Sequence, residues 1–306
     1  MSPRSDPGQS VLEFLRCPAC AAPFRETRPS ILECGCRACP VLAGIPVLVD
    51  DPFARRAAAE VRKGRGEDAL AVALAHFFPA PSLAARIARR AGWLPIDRAR
   101  QLILDSTLTF QDAAEALDRG REAAYFSGRS TQEPFRVGRA LLHEAPPGPA
   151  LDVGCGAGHL EAACPGRPLV GLDRNFPQLY LARRFVHPQG LFVCADACRP
   201  FPFPDGAFAA TFSMDVFQYL RERERAAAEM DRVTRRDGQV ILSHLRNRRA
   251  ELSYEVPSLA PEAYARLLPS RVARFYPESA WLSPSPQPAP AANIDAERPF
   301  VLVAGP

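Results

Sequence analysis

Residues 150–158 read Ala150-Leu151-Asp152-Val153-Gly154-Cys155-Gly156-Ala157-Gly158. An apolar run ends in an acid and then in three glycines at alternate positions, the pattern of a strand that turns sharply into a helix beginning near His159. Glycine at these places lets backbone N–H groups approach a ligand with no Cβ in the way. The spacing is D-x-G-x-G-x-G, whereas a dinucleotide fingerprint is G-x-G-x-x-G. The last gap therefore favours a cofactor whose charged end is an amino acid over one built on a pyrophosphate. Taken alone, these nine residues also fit a glycine-rich turn in some other α/β protein.

Two more runs repeat the device. Leu169-Val170-Gly171-Leu172-Asp173 is a short apolar stretch tipped by a carboxylate, placed where the second strand of an α/β sheet offers an acid to both hydroxyls of a ribose. Leu191-Phe192-Val193-Cys194-Ala195-Asp196 follows, with the Asp196 side chain and the Ala197 backbone set to face an adenine edge. Each acid by itself suits a strand end or a helix cap. Three acid-tipped runs at roughly twenty-residue spacing point instead to a cofactor crevice at the carboxyl ends of a parallel sheet. Arg174, Ser213 and Met214 complete the expected cofactor-binding set with Asp152, Gly154, Gly156, Gly158, Asp173, Asp196 and Ala197.

The stretch from about 121 to 306 resembles a class I S-adenosylmethionine-dependent methyltransferase of the small-molecule type 11 kind. The resemblance rests on residues 151–160, on Gly171-Leu172-Asp173, on Ala195-Asp196-Ala197 with Pro202-Phe203-Pro204-Asp205-Gly206-Ala207-Phe208, and on residues 229–238. It implies a Rossmann-like α/β fold with a seven-stranded sheet. It also implies that Asp152 and the glycines hold the methionine part, Asp173 the ribose and the Asp196 region the adenine. At Asp237-Gly238 the family commonly has two glycines before the next strand; aspartate tolerates the left-handed conformation, so a turn is expected there.

A second signal lies in the first fifty residues. Cys17-Pro18-Ala19-Cys20 is a Cys-x-x-Cys knuckle, and after thirteen residues come Cys34-Gly35-Cys36 and then Cys39. Two thiolate pairs from separate knuckles suit a tetrahedral structural zinc. Disulfides are the alternative, but the polar, proline-bearing start has no apolar core of a secretory signal, and reduced thiols in a soluble cytoplasmic protein are expected. Residues 40–49, Pro-Val-Leu-Ala-Gly-Ile-Pro-Val-Leu-Val, are similar to the end of the short zinc-ribbon family that partners tRNA and protein methyltransferases. Cys17, Cys20, Cys34 and Cys36 follow that resemblance. Cys36-Arg37-Ala38-Cys39 makes a more regular knuckle, so Cys39 competes for the fourth place.

The domain expectation is a zinc ribbon over 1–50, a helical connector or lid over 51–120, and the methyltransferase domain over 121–306. A hydrophobic content of 47% in 306 residues suffices for such a core plus a ribbon. The helical block reads from apolar residues at three- and four-residue spacing over 69–78, 82–91 and 110–124, interrupted by Pro79, Pro81 and Pro95. Tyr125-Phe126-Ser127-Gly128-Arg129 resembles the entry segment that closes over the cofactor in related methyltransferases. Strands are expected over 208–214, 239–244, 271–275 and 300–304, with a proline-rich loop over 283–292. Net charge is a mild +4, Lys63 is the one lysine, and Arg183-Arg184, Arg235-Arg236 and Arg248-Arg249 read as solvated surface. Cys155, Cys164, Cys194 and Cys198 read as small buried or site-edge residues.

Methyl transfer from a sulfonium needs an in-line nucleophile, exclusion of water and, for a protonated acceptor, a base. Asp215 after the fourth strand and His244 after the fifth are the candidate catalytic residues, with Arg246 and Asn247 placed to orient an acceptor. A capping aspartate and a hydrogen-bonded structural histidine are the plain alternatives. The expected acceptor is a small or medium-sized metabolite, since the charge is mild and the Asn/Asp-Pro-Pro-Tyr/Phe tetrapeptide of amino-methylating nucleic-acid enzymes is absent. The competing functions are an RNA methyltransferase that binds substrate through the ribbon, and a non-catalytic cofactor-binding or methyltransferase-activating subunit.

Overall fold

A computed structural model describes residues 14–80, 82–90, 93–118, 128–247, 258–295 and 298–306. Strands β1 (Arg25–Arg28), β2 (Ile31–Glu33), β3 (Ala38–Leu42) and β4 (Ile45–Pro46) come first, followed by helices α1 (Pro52–Arg62), α2 (Gly66–Ala75), α3 (Leu83–Arg90), α4 (Ile96–Leu104) and α5 (Phe110–Asp118). After them run α6 (Glu133–Glu144), β5 (Ala150–Val153), α7 (His159–Ala163), β6 (Leu169–Asp173), α8 (Phe176–Leu181), β7 (Leu191–Cys194), β8 (Phe208–Met214), α9 (Arg223–Val233), β9 (Thr234–Leu245), α10 (Pro261–Ala265), β10 (Val272–Pro277) and β11 (Phe300–Gly305). Among the described residues no helix is long and apolar enough to cross a membrane.

The main sheet is mixed and seven-stranded, in the order β10-β11-β9-β8-β5-β6-β7. β5 pairs in parallel with β6 and β8, and β8 with β9, while β11 runs antiparallel to both β9 and β10. From β5 the chain moves outward through β6 and β7 and then returns to β8 on the other side. The carboxyl ends of β5 and β8 thus flank the topological switch point, where open α/β sheets leave a crevice for ligands. The chain divides into two compact units, Met1–Arg129 with Gly156–Gly158 and Arg174–Ala195, and Ser130–Cys155 with His159–Asp173 and Asp196–Pro306.

In the first unit the ribbon strands form an antiparallel sheet, β1-β2-β3-β4. Leu42 pairs with Ile45 across a two-residue turn in which Ala43 (φ 51°) and Gly44 (φ 76°) are both left-handed, as a tight hairpin demands. Beyond β4, Val47 bridges Cys194 in parallel and the Leu48 N–H donates to the Cys194 carbonyl at 2.9 Å or less, namely 2.7 Å. Asp51 caps α1 by accepting from the Phe53 N–H at 3.1 Å, with Pro52 opening the helix. Phe53 then packs its ring 5.0 Å from Phe77 and 5.8 Å from Phe176. Arg184 donates to the carbonyls of Leu102 and Asp105, capping α4, so this member of the Arg183-Arg184 pair is structural.

In the second unit, α6 lays Phe135, Val137, Leu141 and Leu142 against Leu160, Phe212, Ile241 and Val301. Gly138 lets it approach, because a Cβ there would lie 2.9 Å from the Met214 Sδ. β8 occupies 208–214 as expected, but β9 starts at Thr234 and runs straight through Asp237 and Gly238. The left-handed turn expected there does not form, since neither residue has a positive φ. Glycine is needed at 238 for another reason: a Cβ would meet the Ala209 carbonyl oxygen at 2.5 Å. The register shift between Phe208 and Ala210 absorbs the extra residues as a bulge. Tyr125-Phe126-Ser127 and Arg248-Arg249 lie outside the described residues.

Candidate active site

β5 carries Asp152 one residue before its end, buried at 3% exposure, and the chain then turns through Gly154, Gly156 and Gly158 at φ of 85°, 57° and 71°. All three need the conformation that only glycine adopts without strain. Gly154 also admits a neighbour, since a Cβ there would lie 2.5 Å from the Val216 side chain that follows β8. Its N–H donates to the Leu172 carbonyl at 2.7 Å, tying the turn to β6 just before Asp173. In the first unit, a Cβ on Gly158 would collide with Phe192 at 2.7 Å and Ala182 at 2.9 Å.

Around this turn the second unit gathers acids. Glu161, on α7, is only 2% exposed, and neither carboxylate oxygen finds a hydrogen-bond partner. Burial first, and then the neighbouring Asp152 and Asp173, raises its carboxyl well above the ordinary range. The Cys155 thiol is likewise pushed well up by burial and by Glu161, Asp173 and Asp152, which favours its protonated form. An orphaned carboxyl among two further acids suits a ligand carrying ammonium and sulfonium cations. Glu161 was not anticipated; the one signal was an acid in an otherwise apolar first turn after the glycines.

The other expected cofactor residues divide. Arg174 is exposed and its carbonyl accepts from the Cys194 thiol at 3.6 Å. Asp196 turns one carboxylate oxygen back onto the Cys198 N–H at 2.9 Å, an Asx turn that fixes the loop after β7, with Ala197 buried beside it. Ser213 is fully buried and its hydroxyl donates to the Val153 carbonyl at 2.9 Å, clipping β8 to β5. The Met214 thioether packs under α6. Any contact from Ser213 or Met214 to a cofactor therefore falls to the backbone.

Asp215 and His244 come together at the carboxyl ends of β8 and β9, both in the left-handed region at φ of 57° and 56°. For non-glycine residues that conformation is costly and marks functional positions. The Asp215 N–H donates to the Ser243 carbonyl at 3.0 Å, and the buried Gln218 donates to the Asp215 carboxylate at 3.1 Å and to the His244 carbonyl at 3.2 Å. The His244 Nδ1 lies 2.8 Å from Glu278 Oε2, and its Nε2 lies 4.0 Å from Asp215 Oδ1. Glu278 is 5% exposed, and its second oxygen has no hydrogen-bond partner. His244 and Glu278 line a cleft of about 650 Å³ with Glu133, Ser279, Asp295 and Arg298, while Asp215 stands behind the imidazole and outside the lining. Glu278 escaped the sequence reading because it arrives from 34 residues downstream, after β10. Asn247 is buried and donates to the Ile294 and Asp295 carbonyls, so it holds the cleft wall and does not face an acceptor.

In the ribbon, the sulfurs of Cys17, Cys20, Cys34 and Cys36 all lie within 4.8 Å of one another. The separations Cys17–Cys36, Cys20–Cys34 and Cys34–Cys36 are 3.5, 3.8 and 3.4 Å. A tetrahedron with metal–sulfur bonds of about 2.3 Å has edges of about 3.8 Å, so the four fit one zinc ion. Crowding by the sulfurs of Cys20, Cys34 and Cys17 pushes the Cys36 thiol far up. Burial alone would raise Cys34, but hydrogen bonds from Cys36 and Cys17 bring it down to about 7. Cys39 is apart from the cluster: it sits buried on β3 opposite Leu32, its thiol raised to about 11 by burial.

The glycine turn, the acid-tipped strands and the seven-stranded order with its reversed penultimate position are the features of a Rossmann-like class I S-adenosylmethionine-dependent methyltransferase domain. Residues 151–242 match the family described as methyltransferase domain. The demethylmenaquinone methyltransferase of Thermus thermophilus is 36% identical over 109 residues, 33% of this chain and 49% of that protein. The chain thus spans about half the length of that curated relative. Similar solved structures include a chain from the complex of the Haloferax volcanii Trm112 methyltransferase activator with a methyltransferase, at 17% identity and TM-score 0.47 over 63% of this chain and 96% of that one. Another is a methyltransferase of Thermotoga maritima, at 15% identity and TM-score 0.45 over 63% and 97%.

Proposed function

We propose that the protein transfers a methyl group from S-adenosylmethionine to a small or medium-sized metabolite bound in the cleft at His244. The observation that carries this is the Glu278–His244–Asp215 constellation beyond the carboxyl ends of two strands, one of which borders the switch point. A relative named for methylating demethylmenaquinone supports a small-molecule acceptor over RNA. Asp152 and the backbone of Gly154, Gly156 and Gly158 hold the methionine end, Asp173 the ribose hydroxyls, and the Asp196–Ala197 turn the adenine. Glu161, whose carboxyl is raised by burial and by Asp152 and Asp173, adds an unpartnered buried oxygen that can accept from the ammonium. When bound, the cofactor supplies a methyl group already activated on positive sulfur, so the protein's part is placement and proton removal.

An ionised Glu278 can only accept, so the His244 Nδ1 carries the proton between them and Nε2 is left as the base. It takes the proton of an acceptor O–H or N–H, and Asp215, 4.0 Å away, stabilises the imidazolium that results. Zinc held by Cys17, Cys20, Cys34 and Cys36 cross-links the ribbon and takes no part in the chemistry. The test is steady-state kinetics. His244→Ala should lower kcat by about 100-fold or more while S-adenosylhomocysteine affinity stays within about twofold of wild type. Glu278→Gln should cost less, about tenfold, and shift the pH–rate profile, because it loosens the tautomer and not the base. Full turnover in His244→Ala would remove the base assignment.

A further inference from the structure

At the amino-terminal edge of the same sheet, opposite the glycine turn, lies a second cleft of about 900 Å³ in the second unit. It is bounded by α6, by the residues just before β5, by the 163–168 connection into β6, and by Trp281 with Leu282. Arg136, Arg139 and His143 point into it from one face of α6, at the three- and four-residue spacing that aligns side chains along a helix. Arg167 closes the floor. Its guanidinium donates to the Leu142, Ala145 and Pro146 carbonyls, capping α6, and its Nε is buried without a partner.

The charge here is one-sided. No carboxylate lines the cleft, and none of these four basic side chains has an ion-pair partner among the described residues. Elsewhere the chain pairs its arginines with acids, as in Arg100–Asp68, Arg232–Glu229 and Arg271–Asp231. Burial lowers Arg167 from its usual value with no acid to offset it, so the floor is a desolvated cation as well as a cap. The opposite wall is the Trp281 indole, whose N–H is buried without a partner. Guanidinium groups and an indole lining one space of ligand size recognise phosphate joined to a flat or apolar body.

We propose that this cleft binds a small phosphate-bearing ligand of mononucleotide size, at a site separate from the methyl-transfer cleft. The phosphate lies against Arg136 and Arg139, and the organic part lies on Trp281. α6 and the Glu278–Leu282 turn frame both clefts, since Glu133 and Glu278 line the other one, so the ligand would grip the elements that also carry those two acids.

The test uses the full chain with Trp93→Phe, which leaves Trp281 as the one tryptophan of the two present. Inorganic pyrophosphate and AMP are titrated against its fluorescence with excess S-adenosylhomocysteine present, and adenosine serves as the uncharged control. Pyrophosphate and AMP should give saturable changes that adenosine does not. The exposed pair Arg136→Gln/Arg139→Gln should weaken both by about tenfold or more, with unchanged circular dichroism and S-adenosylhomocysteine affinity. His143→Gln should weaken them less. No saturable change, or equal affinity in the double variant, would overturn the proposal. An RNA oligonucleotide held at this face about 100-fold more tightly than AMP would overturn the small-ligand class.

Discussion

Glu161 and Asp173 carry opposite duties at one turn of chain. Asp173 stands half-exposed at a strand end, ready to accept from a ligand, whereas Glu161 is sealed in with its oxygens unpartnered. Asp173→Ala should therefore weaken S-adenosylhomocysteine binding by ~1–3 kcal/mol in calorimetry, the worth of a charge-assisted pair. Gly156→Val should abolish it, because φ of 57° strains a branched side chain and distorts the turn. Unchanged binding in both would contradict the cofactor assignment. Glu161 bears on stability. Its carboxyl is raised, so the folded chain keeps a proton that the unfolded chain loses near pH ~4.3. The unfolded state then binds fewer protons, and stability falls as pH rises above that point. Glu161→Gln in cofactor-free protein should melt higher than wild type at pH 8, by about 2–4 °C for each kcal/mol regained, with the gain gone near pH 4. An equal gain at both pH values would show that folding does not raise the Glu161 carboxyl.

At the scale of elements, the sequence carried most of the architecture and the first half of the site. The glycine turn, the acid-tipped β5 and β6, and the β8 span were legible because each rests on a local pattern: a short continuous apolar run, a strand-end acid, an obligatory positive φ. What was not legible depends on contacts between distant segments. Gly238 looked like a turn residue, but the neighbouring Ala209 carbonyl decides its identity inside a continuous strand. Glu278 reaches His244 only through the β10–β11 hairpin, and no spacing in the chain announces it. The ribbon is intermediate, since spacing showed four or five thiols and only their placement separates Cys39 from the cluster. Metal analysis should give about one zinc per chain, lost in Cys17→Ser/Cys20→Ser and kept in Cys39→Ser. Retention of the metal in the double variant, or its loss in Cys39→Ser, would refute the four-sulfur site.

For the whole molecule, one sheet presents two clefts of opposite character. The cleft at the carboxyl ends is lined by the His244 imidazole and Glu278, with Glu133, Asp295 and Arg298, and the cleft at the amino ends holds three arginines and a histidine with no acid. The modest net charge of +4 hides this division, because acids and arginines largely cancel in the sum. The cleft at His244 is lined by Glu133, Glu278 and Asp295 with Arg298, and on the proposed function it receives a small acceptor that gives up a proton. The most direct measurement is transfer of a labelled methyl group. The full-length protein is incubated with methyl-deuterated S-adenosylmethionine and, separately, a fractionated metabolite extract and total RNA, and the products are read by mass spectrometry. A small-molecule product carrying the labelled methyl, and lost with His244→Ala, is the expected result; label found in RNA alone, or in neither fraction, would contradict it.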